Sequence, residues 1–69
     1  MPRGTYPIDI EKVKLLALDK GWSLTDLSIQ ADISIQTLVA YGRGSKAFPK
    51  TAAKIAKALK VKTSEIIKE

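Results

Sequence analysis

Two helix-start signals stand close together in the middle of this chain, Ser23-Leu24-Thr25-Asp26 and Ser34-Ile35-Gln36-Thr37, and what lies between them severely limits the fold. Ser23 is placed to cap the first amides of a helix running to about Ala31, with Asp26 in its positive first turn as a shortened capping box. Ser34 offers the N-cap of a following helix that extends to about Gly42. Only Asp32-Ile33 is left to join them, enough for a tight turn and nothing more. Two helices so joined must cross steeply and pack on each other. The positions that face the crossing, Leu27, Ala31, Ile33, Leu38 and Tyr41, are all apolar, and Ser28 is small where the helices come closest.

The flanking segments read as further helices around this pair. Residues 1–7 form an extended lead-in that ends at Pro7, and residues 8–69 form one domain with the helix-turn-helix at about 24–43. Asp9 is the N-cap of a first helix with Ile10, Val13, Leu16 and Ala17 on its inner face, and Gly21 stops it as the residue beyond the cap. Gly42-Arg43-Gly44-Ser45 is a loop, and Pro49 suits the first turn of a fourth helix with an inner stripe of Ala52, Ile55, Ala56 and Leu59. Val61 plugs the core just beyond, and Thr63 or Ser64 caps a short fifth helix carrying Ile66 and Ile67. Trp22 and Phe48 serve as partial covers of the core, since neither belongs to an aromatic-basic cluster. The expectation is an all-α, compact five-helix domain.

Composition narrows the function. With 69 residues, no cysteine and no histidine, the chain has room for one domain and lacks the groups for a disulfide framework, a zinc finger or a thiol nucleophile. Asp9, Asp26 and Asp32 are each explained by cap or turn chemistry, so no carboxylate pair is left over for catalysis or metal binding, and neither an enzyme nor a cofactor is expected. The longest aliphatic run is Leu15-Leu16-Ala17-Leu18, too short for a membrane span, and the lead-in does not resemble an export signal; a cytoplasmic protein is expected. The net charge of +5 points to an anionic partner. Its placement is informative: Arg43, Lys46, Lys50, Lys54, Lys57, Lys60 and Lys62 are the only charged residues from position 43 to 62.

Leu27-Ser28-x-x-Ala31-Asp32-Ile33-Ser34-x-x-Thr37-Leu38, followed by Gly44, Pro49 and Ile55-Ala56-x-Ala58-Leu59, resembles the phage lambda repressor and Cro class of helix-turn-helix domains over nearly the whole chain. The sequence departs from that pattern in three places. Asp32 stands where the turn usually has glycine, although aspartate tolerates left-handed backbone. Leu24 replaces a polar residue that touches phosphate in the family, and the outer face of the third helix is poor in hydrogen-bonding groups.

The resemblance implies a small transcriptional regulator, a repressor or activator of phage, prophage or mobile-element origin, whose third helix enters the major groove of double-stranded DNA. Gln36 is then the side chain best able to read a base edge, preferably adenine, while Ile35, Val39 and Ala40 offer no more than contact with thymine methyls. Ser34, Thr37, Arg43, Ser45, Lys46 and Lys50 would hold the sugar-phosphate backbone. Binding as a two-fold homodimer through Ile66 and Ile67 is also implied. A competing expectation keeps the same fold for an anti-repressor or modulator that grips another phage regulator protein through Leu24, Ile35, Val39 and Ala40.

Overall fold

A computed structural model describes residues 4–68, and within them the chain forms four α-helices, a minimal two-stranded sheet and one 3-10 turn. The helices are α1 (Ile10–Asp19), α2 (Leu24–Ala31), α3 (Ile35–Gly42) and α4 (Pro49–Leu59); the strands are β1 (Tyr6–Pro7) and β2 (Lys46–Ala47). Each helix boundary follows from a local signal. The Lys12 amide donates to Asp9 Oδ1 at 3.3 Å, which starts α1. Ser23 and Asp26 close a full capping box, the Asp26 amide donating to Ser23 Oγ at 3.2 Å and the Ser23 amide to Asp26 Oδ2 at 3.0 Å. The Thr37 amide donates to Ser34 Oγ at 3.1 Å, and Pro49 occupies the first turn of α4, where its missing N–H has no cost.

The turn between α2 and α3 is the tight one the spacing requires. Asp32 takes left-handed backbone with φ 60°, and the Ile33 amide folds back onto the Ser28 carbonyl at 3.0 Å. Ser28 is buried at the crossing, its hydroxyl donating to the Thr25 carbonyl at 2.6 Å, so a polar group in the core is satisfied without a partner from another helix. Around it, Val13 and Ala17 of α1, Leu27 and Ala31 of α2, Leu38 and Tyr41 of α3, and Ala52, Ile55, Ala56 and Leu59 of α4 form a single core. Ile10, Leu16, Trp22, Ile33 and Val61 pack against its rim and are half-buried, so Ile33 covers the core from the turn rather than lying inside it.

The two ends of the domain differ from the five-helix expectation. Thr63–Glu65 is a single 3-10 turn, not a fifth helix, and Ile66 and Ile67 lie beyond it. Two adjacent isoleucines carry no helical period, and the chain uses them differently: Ile66 closes the turn and drops into the core, while Ile67 bridges antiparallel to Ile8. The expected lead-in is also absorbed into the body. Residues 1–3 of it lie outside the described residues, as does residue 69, but Tyr6 pairs with Ala47 and Pro7 with Lys46, and Ile8 is buried. Phe48 does not cover the core, being 65% exposed. Successive residues of an extended segment face opposite ways, and Ala47 is the one turned inward.

Among the described residues no helix is long and apolar enough to cross a membrane.

Candidate nucleic-acid interface

The outer face of α3 is assembled by helical spacing alone. Ile35, Gln36, Val39, Ala40 and Arg43 recur at intervals that place them on one side of the helix, and together with Ser45 from the following loop they line one shallow hollow. Leu38 and Tyr41 occupy the opposite side and are buried. Tyr41 locks this arrangement from below. Burial pushes its phenol above the ordinary value of 10.0, an effect that the Thr51 side chain of α4 partly offsets.

Within the hollow the side chains are unequally available. Gln36, Arg43 and Ser45 are exposed and Val39 is 43% exposed. Ile35 and Ala40 are only half-buried at the surface, and Ile35 leans on the core. Gln36 is therefore the one uncharged group in the hollow with both a donor and an acceptor at the end of a long side chain.

Of the expected phosphate-holding residues, Arg43 and Ser45 line the hollow and the others stand outside its lining. Ser34 and Thr37 sit at the start of α3 and are already bonded to each other, oxygen to oxygen at 2.7 Å. Ser34 Oγ also accepts the Thr37 amide, so its first duty is to cap the helix. Lys46 extends from β2, whose pairing with β1 fixes the loop after Arg43, and Lys50 stands in the first turn of α4; both are exposed. The α3 N-terminus adds its own partial positive charge.

Two expectations change. Leu24 does not belong to this face: it lines a separate depression with Lys14, Ala17, Leu18, Trp22 and Ser23, where it packs against α1. An aliphatic residue at the start of α2 is thus accounted for by packing. Ile66, expected at a dimer surface, is 0% exposed in the single chain and has no surface to offer; Ile67 remains partly exposed.

Three carboxylates stand at helix ends: Asp9 caps α1, Asp26 completes the capping box of α2, and Asp32 forms the left-handed end of α2. Comparison with protein-family models, with curated proteins and with solved structures gives no match.

Proposed function

We propose that this chain is a small DNA-binding regulator of the lambda repressor and Cro type, that it presents the outer face of α3 to the major groove, and that it works as a binding module without catalysis. The observation that carries the reading is the one surface shared by Ile35, Gln36, Val39, Ala40, Arg43 and Ser45, with Lys46 and Lys50 exposed in the segments that follow it in the chain. An exposed helix face with one long amide, short apolar neighbours and an arginine at its end offers the groups that a groove floored by base edges and walled by phosphates requires.

In this arrangement Gln36 pairs with an adenine edge, Val39 and Ala40 meet thymine methyls, and Arg43, Ser45, Lys46 and Lys50 hold phosphates. With one polar reader, base discrimination is modest, and most of the affinity comes from counterion release. A two-fold dimer of this regulator would meet through Ile67.

The competing reading, a modulator that grips a regulator protein through the same face, draws less support. Its apolar patch loses Leu24 to α1 and part of Ile35 to the core, which leaves Val39 as its one large exposed aliphatic group. An interface core needs more apolar area than that.

Binding of the unmodified protein to a pool of random duplexes at low salt separates the two. Enrichment of a preferred sequence supports the operator reading. Gln36→Ala should then relax one base position at a cost of about 1–3 kcal/mol, and Lys46→Ala should weaken all duplexes alike and lower the salt slope by about 1. No sequence preference, with tight capture of a partner regulator, would overturn it.

A further inference from the structure

A second and larger surface lies where the C-terminal ends of α1, α2 and α4 converge. Lys20, Lys54, Lys57 and Lys60 surround an open hollow with Trp22 in its wall, and Asp32 is the one acid on its rim. It shares no residue with the α3 face. We infer that this hollow binds a short acidic segment of a partner protein, and that it does so independently of whatever α3 binds.

The simplest alternative is that these lysines only balance the negative ends of three helices, and for Lys57 in the last turn of α4 and for Lys20 and Lys60 at C-caps that role is real. It does not cover the rest. Lys54 is a turn too early to serve the α4 terminus, and Trp22, with Lys20 Nζ 5.6 Å from its ring centroid, adds a half-buried aromatic wall that dipole balance does not call for. Between the cations the floor is apolar, made by Ala31 and Ala58. Cations around an aromatic and apolar floor suit a ligand that carries carboxylates and an apolar side chain together.

The helix ends decide between a peptide and a nucleic acid. The last four carbonyls of each helix lack intrahelical donors. The Asp32 and Ile33 amides take up those of Ser28 and Ile29, and the Lys60 and Val61 amides those of Ala56 and Lys57. The carbonyls of Gln30, Ala31 and Ala58, around the hollow, receive none of these cap bonds. Both anions meet the negative ends of the helices, but a peptide backbone brings N–H donors for such carbonyls and a phosphate backbone brings only acceptors. A second copy of this chain is a poor occupant, because its seven acidic residues are scattered with no two adjacent.

The probe is a short synthetic peptide of alternating glutamate and leucine, followed by fluorescence of Trp22, the chain's single tryptophan, and by backbone amide shifts in NMR. Saturable binding should shift Gln30 to Asp32, Lys57 to Lys60 and the Trp22 indole. It should weaken with salt and be absent for the glutamine–leucine analogue. The Lys54→Gln/Lys57→Gln double variant should lose about tenfold in peptide affinity while keeping its helical circular dichroism and its duplex binding. Amide shifts centred on α3, an unchanged affinity in the double variant, equal binding of the neutral analogue, or displacement of the peptide by duplex DNA from the same residues would each overturn the inference.

Discussion

Leu38 and Val39 are neighbours in the chain and face opposite ways, so replacing each by alanine tests the register of α3 on which the candidate interface depends. Leu38 is 0% exposed and packed between helices. Removing three buried carbons forfeits about 2.4 kcal/mol of transfer free energy at about 0.8 kcal/mol each, and the cavity left behind raises the expected loss to about 3–5 kcal/mol. Val39 is 43% exposed. Its alanine variant loses part of two methyl groups, about 1 kcal/mol, and recovers about half of that from the better helix propensity of alanine. The net change should lie within about 0.5 kcal/mol.

Urea unfolding followed by circular dichroism reads both variants. A domain of this length has a total stability of roughly 3–10 kcal/mol, so the Leu38 variant should melt well over about 10 °C lower or be partly unfolded, while the Val39 variant should match the parent. Duplex binding should behave oppositely once corrected for the folded fraction, intact for Leu38→Ala and reduced for Val39→Ala. Equal stabilities, or a larger loss at Val39, would mean that α3 is rotated and that the face assigned to the groove is the wrong one.

Three further outcomes follow from other positions. The Tyr41 phenol titrates above 10.0 in the folded state because it is buried, so its contribution to stability is complete below that pH and is lost as pH rises through the folded value; Tyr41→Phe should make the alkaline fall in melting temperature shallower, and an identical fall would refute the burial argument. Lys60 holds φ 59° at the end of α4, a conformation costly for a side chain with no local bond to make, so Lys60→Gly should gain about 0.5–1 kcal/mol and raise the melting temperature by a few degrees, with a loss of stability counting against it. Ile67→Asp should shift sedimentation of a DNA-competent dimer toward monomer; a dimer that sediments unchanged would exclude this end as its contact.

The helices could be read from the sequence because their signals are local. Asp9, Ser23, Ser34 and Pro49 act within one turn of where they stand, and each starts a helix in the structure. The face of α3 was readable for the same reason, since its residues recur at helical spacing. What escaped depends on partners far along the chain. Tyr6–Pro7 becomes a strand only because Lys46–Ala47 lies beside it, and a segment of two residues has no period to betray it. Ile66-Ile67 looks helical or extended equally well until Ile8 and the core claim one each. Leu24 faces a different surface from the one its position suggests because its partners belong to α1, and the hollow around Trp22 leaves no local signal because its lysines come from helices at opposite ends of the sequence.

The way β1 is held has a mechanical consequence. The Asp9 amide donates to the Ile66 carbonyl at 2.8 Å and the Lys68 amide to the Pro7 carbonyl at 2.9 Å, with Ile8 and Ile67 antiparallel between them. Residues 7 and 68 therefore lie side by side at one corner of the domain. A pull applied to both would open these bonds one after another, like a zip, instead of loading them together in shear. The fold should yield at low force from this corner while the helix crossing stays closed. The same corner makes the domain easy to graft: spliced into a surface loop of another protein, it would ask that loop to part by little more than the spacing of two neighbouring strands, about 5 Å.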